Sequence, residues 1–244
     1  AGAHWPLLAR YWGLDGPAPF AAGQLPIPQL SRAQLAAEFQ RTPASVDNVL
    51  DNLYAQLRRA RAQQVQPADR QLIAAANALL LTALAEAAAA VEDGRAQARY
   101  AAAAQTLAQL LRDRFVVDGR LRRTLDTAAT LEDYAYVTQA LLSWSGQRKT
   151  LDAERPLLNA LLQQAWTRYH DNGHWRLGED ALLRWGGTRL ALADTALPAP
   201  PAVLLQVAET LEWQPERTAA AVRAAWPAVD ADPFRHASWL RLYR

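Results

Sequence analysis

Apolar positions recur at three- and four-residue intervals along most of the chain, the spacing of helices that each bury one face. Ser31 is placed to cap a short helix carrying Leu35 and Phe39, and Thr42 before Pro43 is a strong start signal for the next. Val46, Val49, Leu50, Leu53, Tyr54 and Leu57 then trace one stripe. Leu72, Ile73, Ala76, Leu79, Leu80, Ala83 and Leu84 form a broader apolar face, and Gly94 separates it from a helix carrying Tyr100, Leu107, Leu110, Leu111 and Phe115. Thr130 and Asp133 have the spacing of a capping box ahead of Leu131, Tyr134, Ala135, Val137, Leu141 and Leu142, with Gly146 expected to close that helix. A further helix is predicted over about 152–169. Three more follow: one with Val203, Leu204, Val207 and Leu211, one opening at Pro215, and one opening at Asp232-Pro233.

Two tight-turn signals interrupt the helices. Asp118-Gly119 follows Arg114-Phe115, and Asn172-Gly173 follows Arg168-Tyr169. The two sites lie 54 residues apart. Each suits a turn between two short extended arms. A helical hairpin with a small β-like loop is therefore repeating, and periods of this order mark helical arrays and toroids. The expected fold is all-α: helical hairpins forming part of an α/α toroid, with short β-like turns. Residues 1–30 are expected to be an irregular packed segment, because Pro6, Pro17, Pro26, Pro28 and several glycines break regular structure there. With no convincing linker, residues 1–244 are expected to form a single helical domain.

Composition narrows the function classes. Hydrophobic residues make up 51% of the 244, enough for a sizeable core, and much of that fraction is alanine, a strong helix former. There are no cysteines, which removes disulfides, thiolate metal sites and cysteine nucleophiles together. There are no methionines either, so the expectation is a processed or truncated piece of something longer. The net charge is +2, and the arginines are not interleaved with aromatics, so no nucleic-acid partner is expected. No stretch approaches the roughly 20 uncharged apolar residues of a membrane span, so no membrane partner is expected. The expected setting is soluble, in a bacterial cytoplasm or periplasm.

The segment Leu131-Glu132-Asp133-Tyr134-Ala135-Tyr136 resembles a Leu-x-Asp-Tyr-Ala-aromatic pattern of thioredoxin-domain proteins related to spermatogenesis-associated protein 20. In that family a thioredoxin-like domain precedes an α/α toroid similar to N-acylglucosamine 2-epimerase and six-hairpin glycosidases. The resemblance runs from about Tyr11 to the end. Asp69 and Asn77 match positions of the family's Asp-Asp-Lys and Trp-Asn motifs, but its lysine and tryptophan are replaced. Asp194, Ala196 and Pro198 match its Asp-x-Ala-x-Pro stretch, where Ala199-Pro200-Pro201 stands for a polar Ser-Gly-Asn. The thioredoxin-like domain and the earlier toroid helices have no counterpart here.

The resemblance implies that inner-helix starts line a central funnel. Asp69, Asp133 and Asp194 would then be the candidate catalytic carboxylates, acting as general acid and base on a sugar. Tyr134, Tyr136, Asn77, Trp175 and Trp185 would be the ligand-binding candidates. Each aspartate fits a second role, and fits it better: Asp133 and Asp69 as helix-start caps, Asp194 as a turn residue. His170 and His174 have a metal-ligand interval, but Asp171-Asn172-Gly173 breaks any helix between them, so no metal is expected, nor any cofactor. The eroded motifs favour a non-catalytic module with a carbohydrate-type funnel, a possible carbohydrate ligand, and contact with the missing thioredoxin-like and helical region. A sugar epimerase or glycoside-acting enzyme, and a helical protein-interaction scaffold, remain open.

Overall fold

The computed structural model describes residues 2–18, 20–21, 23–65, 68–178 and 191–243. Among the described residues the chain is all-α apart from two small hairpins. It divides into two compact units, Ala1–Asp69 and Arg70–Arg244. Each unit has its own hydrophobic core.

The first unit contains α1 (Trp5–Trp12), α2 (Arg32–Glu38) and α3 (Pro43–Ala62). The N-terminal segment is thus less irregular than its prolines suggest. Pro6 falls in the first turn of α1, where the missing N–H removes no helix bond. Residues between α1 and α2 are irregular as expected, and backbone bonds from Gln29 to Tyr11 (2.8 Å) and from Ile27 to Trp12 (3.3 Å) hold them to α1. Ser31 caps α2 reciprocally with Gln34, and the Thr42 hydroxyl accepts from the Ser45 N–H at 3.2 Å to open α3. Leu7, Leu8, Leu35, Val46 and Leu50 fill this unit's core.

The second unit is built from helical hairpins: α4 (Ala74–Ala90) with α5 (Gly94–Leu110), α6 (Leu131–Arg148) with α7 (Leu151–Tyr169), and α8 (Pro200–Thr210) with α9 (Pro215–Ala231). Helix α6 packs between α4 and α8. Buried Ala74, Ala75, Ala78 and Ala85 give α4 a surface with little side-chain bulk against its neighbours. Helix α6 is buried around most of its circumference, from Leu131 and Asp133 to Trp144 and Ser145, as a central helix must be. It also runs past Gly146; Lys149 takes the left-handed conformation that ends it, at φ 56°. The last segment, Pro233–Leu242, is 3₁₀-helical with a kink at His236 (φ −132°), and it is opened by the Asp232 carboxylate, which accepts from the Arg235 N–H.

The expected 54-residue recurrence is present in the backbone. Strand β1 (Val116–Val117) pairs antiparallel with β2 (Arg120–Leu121), and β3 (His170–Asp171) with β4 (His174–Trp175). Both turns hold two left-handed residues: Asp118 and Gly119 at φ 52° and 72°, Asn172 and Gly173 at 48° and 81°. That is the two-residue turn whose twist matches the flanking strands. The agreement extends outward. The Arg122 N–H donates to Phe115 O at 2.9 Å, and the Arg176 N–H to Tyr169 O at 2.8 Å. One residue further on, the Arg123 carbonyl accepts from Ala74 N–H, the first of α4, at 2.8 Å, and the Leu177 carbonyl accepts from Leu131 N–H, the first of α6, at 3.1 Å. Each of these helix starts is therefore closed by the loop after a later β hairpin, satisfying a donor that the helix itself leaves open.

Candidate functional site

Helix starts and the loops before them converge on one cleft of about 560 Å³ in the second unit. Its walls include Arg123, Thr127 and Thr130 ahead of α6, Glu132 and Tyr136 on α6, and Thr195, Pro198 and Pro200 around the start of α8. This volume lies in the range of small-molecule sites.

Its charged pair is Arg123 and Glu132. The Arg123 guanidinium lies 3.2 Å from the Glu132 carboxylate and 3.3 Å from Asp133. Burial works against the Arg123 charge, but the two carboxylates outweigh it and hold its pKa above the usual arginine value. Sequence reasoning missed both cleft residues. Successive residues at a helix start point in different directions, so Glu132 faces the cleft while Asp133 turns inward. Arg123 had a usable signal, its place in the repeat one residue beyond the Arg122 and Arg176 pair.

Asp133 is fully buried and caps two helices with one carboxylate. Its Oδ2 accepts from the Thr130 N–H at 2.8 Å, the Thr130 hydroxyl at 2.9 Å and Arg123 at 3.3 Å. Its Oδ1 accepts from the Ala75 N–H, in the first turn of α4, at 3.2 Å. Asp194 is committed in a similar way. Its Oδ1 accepts from the Ala199 N–H at 2.7 Å and the Ser238 hydroxyl at 2.6 Å, and its Oδ2 from the Ser238 N–H at 2.8 Å. It ties the loop before α8 to the C-terminal 3₁₀ helix and lines a neighbouring depression instead of the cleft. Asp69 does not start a helix: it is an exposed, irregular residue at the end of the first unit, and α4 begins at Ala74.

Of the ligand candidates, Tyr136 lines the cleft. Its hydroxyl donates to Pro198 O at 2.7 Å, bridging α6 to the loop before α8. Burial first, then the nearby Glu132 and Asp194 charges, push its pKa well above the ordinary tyrosine value, so the hydroxyl keeps its proton and offers a ligand its oxygen lone pairs. Tyr134 points elsewhere: it is buried, donates to Gln164 Oε1 at 3.1 Å and packs against the Tyr169 ring. Asn77 donates to Ile73 O at 2.8 Å, within the first turns of α4. Trp175 is a core residue, 2% exposed, at the repeat position of buried Leu121. Its ring meets the edges of Trp166 and His170 at centroid distances of 5.1 and 4.7 Å. A tryptophan beside a turn looks available in sequence, but here β4 turns it inward. Trp185 lies outside the described residues.

No protein-family model matches the chain, and no curated protein matches it. Among the described residues, no helix is long and apolar enough to cross a membrane.

Proposed function

We propose that the chain is a diverged α/α-toroid module that binds a sugar-like polyol in the cleft between the starts of α6 and α8, without turning it over. The observation that carries this assignment is the commitment of both motif aspartates described in the second unit. Asp133 and Asp194 spend their carboxylate oxygens on backbone N–H groups and neighbouring side chains, which are capping and clamping roles, so neither oxygen pair is poised to exchange a proton with a ligand. Binding is supported by the cleft itself. Glu132, the Tyr136 oxygen and the threonines supply hydrogen-bond partners for hydroxyl groups, beside the apolar surfaces of Leu177 and Pro198. By the resemblance, such a module works within a longer thioredoxin-domain protein.

A second assignment, a glycoside-acting or epimerising enzyme, is favoured by one observation: Glu132 places a carboxylate in the cleft beside a guanidinium. Glycoside hydrolysis ordinarily needs two carboxylates across the scissile bond, and Glu132 is the sole carboxylate among the described residues lining the cleft.

The test is a panel of mono- and disaccharides titrated by calorimetry, with each sugar followed by NMR for conversion. Binding without conversion is expected, weakened by Glu132→Gln and by Tyr136→Leu. Conversion that disappears in Glu132→Gln would replace the binding module with the enzyme. Absence of binding across the panel would remove the carbohydrate assignment.

A further inference from the structure

The β3–β4 hairpin leads directly into one wall of the cleft. Leu177, two residues beyond Trp175, lines the cleft, and its carbonyl holds the start of α6 through the Leu131 N–H at 3.1 Å. Within the hairpin, His170 and Trp175 are paired in register, with ring centroids 4.7 Å apart. Both rings meet Trp166 of α7, at 4.8 and 5.1 Å, and Trp166 packs in turn on Trp213 at 5.5 Å.

This cluster holds donors without acceptors. Trp166 Nε1, Trp175 Nε1 and Arg176 Nε are buried and have no hydrogen-bond partner among the described residues, and His170 Nε2 is buried and unpartnered beside them. Tryptophan and arginine nitrogens can only donate, so three buried donors go unmet. The charged and titratable groups that act on His170 are Arg217 of α9, set 4.7 Å over the Trp166 ring, His174 of β4, and Asp171 next to it in β3. Arg217 and His174 oppose a further positive charge, and Asp171 favours one. A neutral imidazole fits this setting: with its proton on Nδ1, Nε2 adds no unmet donor. An imidazolium does not, because its Nε2–H becomes a further buried donor, now charged, without an acceptor.

The first hairpin has no such group. At the 54-residue offset Val116 stands for His170 and Leu121 for Trp175, an apolar pair in the same register. Its loop closes α4 through Ala74 just as the second closes α6 through Leu131.

We propose that His170 is a proton-operated latch on the β3–β4 hairpin: protonation drives the ring out of the tryptophan cluster, frees the Leu177 carbonyl from the start of α6 and weakens binding in the cleft. The pairing it releases is only two residues long on each strand, so losing one ring opens the hairpin locally and leaves the helices in place. The effect on binding rests on the sugar assignment of the cleft; the release of the hairpin does not.

Amide hydrogen exchange on the full chain, followed by NMR and corrected for intrinsic rates, tests the latch without a ligand. A ring that titrates at about 6.5 once released raises the opening constant by at most about thirtyfold between about pH 7.5 and about pH 5.0. The Leu131 N–H is expected to lose protection at least fivefold over that range, and the Ala74 N–H less than twofold. His170→Phe keeps a ring between the tryptophans, and is expected to hold Leu131 within twofold. Calorimetry with D-glucose and maltose at both pH values reads the cleft: affinity is expected to fall at least threefold in the parent and to stay level in His170→Phe, which retains Glu132. The latch is overturned if Leu131 and Ala74 change alike, if His170→Phe follows the parent, or if Leu131 is already unprotected at the higher pH. Equal sugar affinity at both pH values in the parent overturns its coupling to the cleft. If neither sugar binds, the carbohydrate assignment loses its support and the exchange result alone decides the latch.

Discussion

Replacing Asp133 by asparagine changes one atom and removes one charge, yet the geometry predicts a large loss of stability. Oxygen Oδ2 collects three hydrogen bonds, so the asparagine oxygen settles there, and its amide group then faces the Ala75 N–H. Two donors meet at a fully buried position, and the first turn of α4 loses its cap. An unsatisfied buried donor costs about 1–3 kcal/mol, and each hydrogen bond that loses its charged acceptor weakens as well. Removing one partner of a buried charge pair costs about 3–5 kcal/mol, but Arg123 is partly exposed and keeps Glu132, so the lower end applies. The expected loss is about 3 kcal/mol, or roughly 6–12 °C in melting temperature for a unit of this size. Urea unfolding followed by far-ultraviolet circular dichroism measures it, with Thr130→Val as a smaller companion change. A loss below about 0.5 kcal/mol, within the range of ordinary surface substitutions, would mean that the carboxylate does not hold the two helix starts together and is available for chemistry after all.

Other consequences follow from the same structure. Arg112 and Glu154 form a two-bond pair at 3.0 and 2.6 Å between the π-helical turn after α5 and the start of α7, so Glu154→Gln is expected to cost about 2 kcal/mol in urea unfolding. His170 is held below its ordinary pKa of 6.5, by burial first and then by Arg217. The unfolded chain therefore takes up that proton first. Stability is full above pH 6.5 and falls as the pH drops towards the lowered folded value. Melting curves across that window should fall more steeply for the parent than for His170→Phe, and equal slopes would exclude the effect. Gly119→Ala and Gly173→Ala meet no neighbour within 4 Å, so each is expected to lose only the backbone preference, about 1 kcal/mol, and by similar amounts if the two turns are true repeats.

The helices and both hairpin turns were legible because their signals are local. Thr42-Pro43, Ser31, Asp118-Gly119 and Asn172-Gly173 each declare a backbone conformation within a few residues. The position of Asp133 was legible too, but a capping carboxylate and a ligand-facing one have the same sequence pattern. What separates them is the Ala75 N–H, 58 residues away. Trp175 was misplaced for a related reason: the inward face of β4 is set by its register with His170, and the Trp166 ring that it packs on also meets Trp213, far along the chain. The division into two units falls in the polar stretch 63–71 between α3 and α4, where Pro67 reads equally as the end of one helix or the opening of the next. Glu132 was overlooked because a half-buried ion pair leaves no pattern of its own along the chain, and Arg123 because its place in the repeat shows only once the two turns are aligned.

The loops that close α4 and α6 also show how such a series can stop. Each of those helices opens with a free N–H, on Ala74 and Leu131, that needs a carbonyl from a later loop. Helix α8 opens with Pro200 and Pro201, which have no N–H to offer, and the residue before them is already satisfied by Asp194. Its start therefore asks nothing of a following β hairpin. In this chain two prolines act as a terminator, written into the covalent structure, for a repeat whose earlier members each depend on the next.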